Sequence, residues 1–176
     1  MKHLAALSVL AIAAIPALSI AQEGGFGIGL RAGVTLPTDS RTKDAFGGTW
    51  FSFGIGPANT GIQPGMSWTP DFGITTRSNG SNRLLILKAT YGITQNMATE
   101  GSNAVPYFSA RAGMAYVDYR VGTVGARRGV FTGNAEVGIL LSNQFRLSAR
   151  YDFFPELNGY KFDGVTFSIT WQIARF

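Results

Sequence analysis

The residue types that most often carry catalysis are nearly absent from this chain. Its one histidine, His3, lies in the N-terminal segment, and there is no cysteine. Without an imidazole or a thiolate, the rest of the chain has no Ser-His-Asp triad, no Cys nucleophile and no His or Cys metal ligand. We therefore expect no enzymatic activity, no catalytic or cofactor-binding residue, and no metal site.

The remaining candidates for chemistry are ionisable side chains that interrupt runs of Gly, Ser and Thr. Glu136 and Asp152 are the two carboxylates predicted among them, and arginines surround both. Removing a carboxylate from such a group would leave partly desolvated cations unpaired, which is costly. The group acts either as an electrostatic plug or gate, or as structural filling. Its predicted members are Arg31, Lys88, Arg111, Glu136, Arg150 and Asp152.

Alternation of apolar and polar residues predicts the elements that position these side chains. Successive side chains of a strand point to opposite faces, so a period of two residues is the signature of a strand with one apolar face. No segment after the N-terminal region shows a period of 3.6 residues, so no helix is expected. The alternating segments are residues 25–36, 50–57, 66–77, 85–93, 104–118, 131–141, 145–153 and 165–173.

Several positions depart from this simple pattern. Pro70 interrupts the third segment and predicts an edge or a bulge there, because proline has no amide hydrogen to donate. Ile86 puts an apolar residue on the polar face of the fourth segment. Residues 37–48 and 119–130 read as loops, whereas residues 78–81, Ser-Asn-Gly-Ser, predict a tight hairpin turn.

The last strand shows the alternation most clearly. Its even positions are Thr166, Ser168, Thr170 and Gln172, so one face is polar. The opposite face is wholly apolar and needs an apolar environment. That face comprises Val165, Phe167, Ile169, Trp171 and Ile173.

Composition indicates which environment the apolar faces meet. Charged residues make up 14% of the chain, against about 25% in soluble domains. The polar faces carry small residues that suit the crowded interior of an eight-stranded barrel, not a soluble surface. Aromatic residues also cluster near both ends of the apolar faces, as in interfacial girdles. One ring is Phe26, Tyr91, Phe145 and Trp171, and the other is Tyr116, Phe131, Tyr151 and Phe153.

The sequence therefore predicts an all-β, eight-stranded, antiparallel, up-and-down transmembrane β-barrel whose apolar faces contact lipid. The alternative is a soluble periplasmic ligand-binding barrel with its apolar faces turned inward. For the transmembrane barrel, a three-residue turn at 142–144 pairs Leu141 with Phe145 and sets Glu136 opposite Arg150. Registers centred on the other loops put Arg111 beside Glu136, and Lys88 beside Arg111.

The N-terminal segment differs from the rest of the chain. Met1-Lys2-His3 is a short basic start, residues 4–18 are apolar, and Ser19-Ile20-Ala21 supplies small residues. This is the pattern of a secretory signal peptide. We expect residues 1–21 to be cleaved and residues 22–176 to form one outer-membrane barrel domain.

Together these features resemble the small outer-membrane β-barrels of Gram-negative bacteria, which include the OmpA transmembrane domain, OmpX and OmpW. The resemblance rests on the signal peptide, eight alternating strands, the glycine-rich run 25–30, Val105-Pro106-Tyr107-Phe108 and the C-terminal Phe176. In that family the terminal Phe shares the parity of the lipid-facing residues. Phe176 does not, so either the strand has a bulge near Ala174 or the assembly signal is atypical.

The resemblance implies an outer-membrane location, with contacts to membrane lipid and to the outer-membrane assembly machinery. Some members are lipid-modifying hydrolases, but the histidine that such a triad needs is missing outside residues 1–21. The expected role is a structural or surface-interaction component with a polar, largely plugged lumen; the alternative is a narrow porin-like channel for small solutes or ions.

The resemblance also places the loops opposite the two termini outside the cell, where they face lipopolysaccharide phosphates. Guanidinium groups suit bidentate phosphate contact, although a merely solvated loop surface would look the same in sequence. No basic stripe with exposed aromatic residues occurs, so no nucleic-acid partner is expected, and the sequence indicates no particular protein partner. The candidate lipopolysaccharide or surface contacts are Arg41, Lys43, Arg120, Arg127, Arg128 and Lys161.

Overall fold

Eight antiparallel strands follow one another around a closed barrel, each hydrogen-bonded to the next and β8 to β1. The computed structural model describes residues 27–58, 65–97, 104–141 and 144–175. The predicted signal peptide, residues 142 and 143 of the predicted turn, Phe26 and Phe176 lie outside these ranges. The strands are β1 (Gly27–Pro37), β2 (Trp50–Ala58), β3 (Gly65–Asn79), β4 (Asn82–Asn96), β5 (Ala104–Val121), β6 (Val124–Leu141), β7 (Phe145–Phe153) and β8 (Gly164–Arg175).

The first and last strands close the barrel along their whole length. Leu30 pairs with Trp171 and Val34 with Phe167. The register shifts between Gly29, opposite Gln172, and Ile28, opposite Ala174. Ile173 is therefore the extra residue of a bulge, beside the position where the parity of Phe176 required one. We call the end of the barrel that carries β1's start and β8's end the near end, and the opposite end the far end.

The apolar faces point outward on every strand, as the alternation predicts. About half of the surface of Phe167, Ile169, Trp171 and Ile173 is exposed, and Val165 is half-buried on the same face. Near-end aromatic residues pair on this outer surface, with ring centroids 5.5 Å apart for Trp68 and Tyr91. The soluble barrel, which needs the apolar faces inside, is therefore wrong.

A short helix occupies part of the predicted loop 37–48, so the expectation of no helix was wrong. Helix α1 spans Ser40–Phe46, and the Asp39 carboxylate caps it by accepting hydrogen bonds from the Thr42 amide and hydroxyl. These hydrogen bonds hold the pKa of Asp39 below its ordinary value. Seven residues give too few turns for a 3.6-residue period to emerge. No helix in the described part of the chain is long and apolar enough to cross a membrane.

The third strand is continuous through Pro70, which pairs opposite Tyr91 of β4. The described pairing with β2 reaches only from Thr76 to Phe72. Pro70 thus lies beyond the paired part of that side, in an edge-like position, and this is how the strand tolerates a residue without an amide hydrogen. The predicted hairpin follows, with Gly80 at φ 58° in the turn between Asn79 and Asn82.

The β5–β6 hairpin is much longer than predicted. Most of the predicted loop 119–130 is strand, and only Gly122 and Thr123 form the turn. Glycines and arginines obscure the alternation there, but cross-strand pairing continues to Val121 and Val124. Pairing of β6 with β7 begins only at Gly133. On its β6 side the hairpin therefore extends beyond β7 at the far end, whereas β4 pairs with β5 up to Arg120. We call it the projecting hairpin.

Candidate functional site

All six residues of the predicted charge cluster point into the lumen and are buried there. The predicted register between β6 and β7 is confirmed, with Glu136 opposite Arg150. The other two registers were wrong, because Arg111 lies opposite Asn134 and Lys88 lies opposite Ala115. Loop midpoints were a poor guide because the strands on either side extend unequally into the loops.

Five charged side chains form one continuous chain of ion pairs across the lumen. Arg31 makes two hydrogen bonds to Asp71, of which Nη2 to Oδ2 measures 3.0 Å. Arg150 Nη1 lies 3.0 Å from Asp71 Oδ2, and its Nε lies 3.3 Å from Asp152 Oδ2. Lys88 Nζ completes the chain at 2.8 Å from the same Asp152 oxygen. Because these residues come from β1, β3, β4 and β7, the chain links opposite walls, and we call it the transverse network.

A second polar group lies closer to the near end. Arg111 Nη1 lies 3.2 Å from Glu136 Oε2, and the Tyr107 hydroxyl donates to Glu136 Oε1 at 2.6 Å. The Arg146 guanidinium lies over the Tyr107 ring, 4.3 Å from its centroid. Arg111 also donates to Thr94 and Ser109. This near-end group holds one carboxylate between two arginines and a phenol.

Asp71 and Arg146 are the functional residues that the sequence analysis missed. The prediction of two lumen carboxylates was wrong, because Asp71 is a third and accepts from two arginines of the transverse network. Pro70 obscured its face, although Thr69, Asp71, Gly73 and Thr75 alternate correctly with Phe72 and Ile74. Arg146 alternates with Phe145 and Leu147 on the polar face of β7, but the predicted cluster did not include it.

A glycine on β2 makes room for the transverse network. A Cβ atom at Gly56 would lie 2.7 Å from Asp71 Oδ1, closer than real contacts allow. Any larger residue at this position would push the carboxylate away from Arg31 and Arg150. Gly54 likewise leaves room for the Arg31 guanidinium, so these two glycines of β2 provide the volume that the buried ion pair takes up.

Hydroxyl groups line the wall between the charged residues. Thr35 Oγ1 lies 2.6 Å from Ser52 Oγ and 2.8 Å from Thr166 Oγ1. Thr166 in turn donates to Asp152 at 3.3 Å. Short hydroxyls satisfy one another across neighbouring strands without filling the space that the arginines need. The wall is therefore polar without adding charge.

The far half of the lumen is apolar, which the sequence analysis did not predict. Phe46 of α1 is fully buried there and contacts Trp50, Tyr119 and Tyr160 edge-on, with ring centroids 6.1–6.5 Å apart. The irregular Ile86 belongs to this cluster, which explains why it breaks the alternation of β4. We call this set the far-end plug, and its buried members are Ala45, Phe46, Trp50, Leu84, Ile86, Ala115, Val117, Tyr119, Val130, Leu157, Tyr160 and Phe162.

Hydrogen bonds fasten α1 and the β7–β8 loop over the far-end plug. The Asn82 side chain donates to the Ala45 carbonyl at 2.7 Å, and Arg77 Nε donates to the Phe46 carbonyl at 3.2 Å. The Thr42 hydroxyl lies 2.8 Å from the Lys161 carbonyl, which ties the helix to the loop. Hydrogen bonds to backbone carbonyls thus hold α1 and the β7–β8 loop in place, in addition to apolar packing.

The candidate surface cations all lie at the far end, but they are not one cluster. Arg41 stacks over the Tyr160 ring at 4.8 Å. Lys43 is exposed on α1 and Lys161 on the β7–β8 loop. Arg120, Arg127 and Arg128 lie on the projecting hairpin, where Arg127 Nε lies 3.0 Å from Asp118. In the described ranges, no group of three or more His, Asp or Glu side chains is placed to hold a metal ion.

Solved structures share this architecture at low sequence identity. The chain aligns with Neisserial surface protein A at a TM-score of 0.54 and 14% identity, over 86% of this chain and 98% of that one. It aligns with Ail of Yersinia pestis, bound to the heparin analogue sucrose octasulfate, at 0.54 and 13%, over 86% and 100%. The outer membrane enzyme PagL aligns at 0.53 and 15%, over 83% and 99%. At such identities the similarity establishes the fold alone.

No curated protein matches this chain significantly in sequence. A family model does match, across residues 5–172 and therefore across nearly the whole chain. The match agrees with the closed eight-stranded barrel, the outward apolar faces and the paired aromatic residues of the outer surface. The chain belongs to the family described by the outer membrane protein beta-barrel domain.

Proposed function

We propose that this protein is a non-enzymatic, structural outer-membrane barrel with a closed lumen and a basic surface outside the cell. The observation that carries the proposal is the double closure of the lumen, by the transverse network and by the far-end plug. Both closures use buried side chains whose partners come from several strands. A passage for solutes would require both to rearrange.

The absence of an imidazole outside residues 1–21 supports a non-enzymatic role. The buried carboxylates are engaged with cations, and no buried nucleophile lies beside a free base in the described residues. The similarity to PagL concerns the fold and carries no activity to this chain.

The far end is the extracellular end in this proposal, and its cations contact lipopolysaccharide phosphates. The complex of Ail with a heparin analogue supports polyanion contact as a use of this type of surface. We further propose that residues 1–21 are a signal peptide removed before the assembly machinery inserts the barrel. N-terminal sequencing of the mature protein should begin at Gln22.

Conductance across a planar bilayer tests the closed lumen. Purified, folded protein should give no steady current at moderate voltage, whereas boiled protein serves as the inactive control. Regular unitary openings of the wild-type protein would contradict the proposal and would instead support the narrow porin-like channel.

A further inference from the structure

The strand register divides the far-end cations into two sets that face different surroundings. Lys43 on α1 and Lys161 on the β7–β8 loop are exposed on the two elements that cover the far-end plug, and we call them the cations at the mouth. On the projecting hairpin, by contrast, Arg120 and Arg127 share the parity of the lipid-facing Tyr116 and Phe131 and therefore point away from the barrel axis. Arg128 has the opposite parity, that of the buried Val130.

Arg83 of β4 joins the outward set. It has the parity of the outward Leu85 and lies directly opposite Arg120 in the β4–β5 register. Directly opposed residues have Cβ atoms about 5 Å apart, and like charges at that spacing repel. Arg120 Nε donates to the Gly122 carbonyl at 3.0 Å, which orients its guanidinium. In the described part of the chain, neither Arg83 nor Arg120 forms an ion pair.

Among the described residues of the outward patch, the one carboxylate is already engaged. Asp118, the next outward residue below Arg120, forms an ion pair with Arg127 at 3.0 Å. The outward patch of Arg83, Arg120, Arg127 and Asp118 therefore keeps an excess of two positive charges. Arg83 and Arg120 face each other across the β4–β5 register, and two guanidinium groups at that spacing can bridge one oxyanion, since each can donate two parallel hydrogen bonds.

The height of this pair matches the rim of the membrane. At about 3.3 Å per residue and a strand tilt of about 40°, the stretch of β4 from Ile93 to Arg83 rises about 25 Å, the usual height of a barrel's lipid-facing band. The row directly below the pair is the outward Leu85 opposite Asp118, whose charge Arg127 engages, and the next row is Leu87 opposite Tyr116. An anion bound by the pair would thus sit above this ion pair and the apolar outward surface that begins at Leu85 and Leu87.

We propose that Arg83 and Arg120 form a binding site for one phosphate of an outer-leaflet lipid, whose acyl chains lie along the outward apolar residues of β4 and β5. The ligand chemistry is a phosphate monoester or diester, and the outward orientation commits the source to a lipid headgroup, not a soluble phosphate. This inference rests on the proposed lipopolysaccharide contact, and it assigns that contact to the outward pair instead of the cations at the mouth.

The test compares two double variants that remove the same charge. Arg83→Gln/Arg120→Gln removes the outward pair, and Lys43→Gln/Lys161→Gln removes two cations at the mouth. Each folded protein is purified in a non-ionic maltoside detergent, which carries no phosphate, and its folding is checked by gel mobility before and after boiling. Native mass spectrometry then measures retention of diphosphoryl lipid A, dephosphorylated lipid A, inorganic phosphate and sucrose octasulfate.

The wild type should retain diphosphoryl lipid A and lose it when the lipid phosphates are removed. We expect Arg83→Gln/Arg120→Gln to bind diphosphoryl lipid A roughly tenfold more weakly, as expected for the loss of charge-assisted hydrogen bonds. Lys43→Gln/Lys161→Gln should stay within about twofold of wild type, because exposed point charges contribute little at physiological salt. Arg83→Lys/Arg120→Lys should fall between the two, since it keeps the charge and loses the bidentate geometry.

Equal weakening in both glutamine variants, or wild-type retention in Arg83→Gln/Arg120→Gln, overturns this inference while leaving the lipopolysaccharide contact intact. Binding of inorganic phosphate or sucrose octasulfate at the outward pair, with no preference for lipid A, overturns the assignment to a lipid. Failure of the wild type itself to retain diphosphoryl lipid A overturns the lipopolysaccharide contact of the proposed function as well.

Discussion

The transverse network and the far-end plug close the same lumen with opposite kinds of side chain, charged in the network and apolar in the plug. The network is directional: each of its buried charges depends on a partner at hydrogen-bond distance, so the loss of one atom leaves others uncompensated. The plug depends on volume and shape, so a smaller side chain weakens it in proportion to the space left empty. The network and the plug should therefore fail under different substitutions, and neither should replace the other.

The largest loss of stability is expected for a substitution at Asp71, because its carboxylate pairs with both Arg31 and Arg150. Asp71→Asn keeps the shape and removes the charge, which leaves the buried Arg31 without its carboxylate partner and Arg150 with Asp152 alone. We expect a loss of about 4 kcal/mol in the free energy of unfolding, measured by urea titration in lipid vesicles.

Asp118→Asn is the matched control for Asp71. Its partner Arg127 is largely exposed, with 56% of the side-chain surface accessible. This substitution should cost less than about 1 kcal/mol. Equal losses at the two positions would show that burial does not distinguish the network from a surface ion pair.

Phe46→Ala should weaken the far-end plug without disturbing the charges beneath it. The ring is fully buried against Trp50, Tyr119 and Tyr160, and its removal should cost about 3 kcal/mol. Faster hydrogen exchange in α1 and in residues 154–163, with β3 and β7 unchanged, would localise the effect. Phe46→Leu, which keeps most of the volume, should restore more than half of the lost stability.

Glu136→Gln tests whether the near-end group is filling or a gate. Arg111 would lose its charged partner, and we expect a loss of about 2 kcal/mol in thermal unfolding experiments. No conductance should appear in a planar bilayer, because the far-end plug remains in place. A new current in this single variant would identify Glu136 as a gate residue. It would also show that the far-end plug does not close the lumen independently of the near-end group.

The smallest expected change in stability concerns the Asp39 cap of α1, whose contribution depends on pH. The Thr42 hydroxyl and amide lower the pKa of Asp39 in the folded protein. Its stabilising contribution is therefore fully present above the ordinary carboxyl pKa of about 4 and is lost as the pH falls below that value. Proteolysis at the far end should increase between pH 5 and pH 3 in the wild type. Asp39→Asn keeps a capping oxygen, so its cleavage should not change with pH over this range.

The sequence predicted the barrel and much of the polar lumen because the two faces of each strand differ strongly in polarity there. Arg150 and Asp152 alternate with Ala149 and Tyr151, so parity alone assigns them inward. The far-end plug lacks this contrast. In the run Leu84-Leu85-Ile86-Leu87 both faces are apolar, and only the closed structure separates the lumen residues Leu84 and Ile86 from the lipid-facing ones.

The register of each strand pair depends on the length of the turn that joins the two strands. The sequence indicated this length clearly for some turns and not for others. The pairing of β6 with β7 was predictable because a short polar turn leaves little freedom. The β5–β6 register was not, because the strands continue through a glycine-rich stretch that resembles a loop and turn only at Gly122 and Thr123. Arg111 therefore meets Glu136 diagonally, through its length, and not as a cross-strand neighbour.

The same hairpin turn makes this chain a scaffold for displaying foreign peptides. Gly122 and Thr123 are exposed, and Gly122 already adopts the left-handed conformation of a tight turn, at φ 58°. Beside the turn, Val121 packs against the far-end plug, and β5 and β6 remain hydrogen-bonded up to Val121 and Val124. A peptide inserted between Gly122 and Thr123 would lengthen an exposed connection while the barrel below keeps its pairing. With the far end outside the cell, as proposed, an epitope placed there should be accessible to antibody on intact cells.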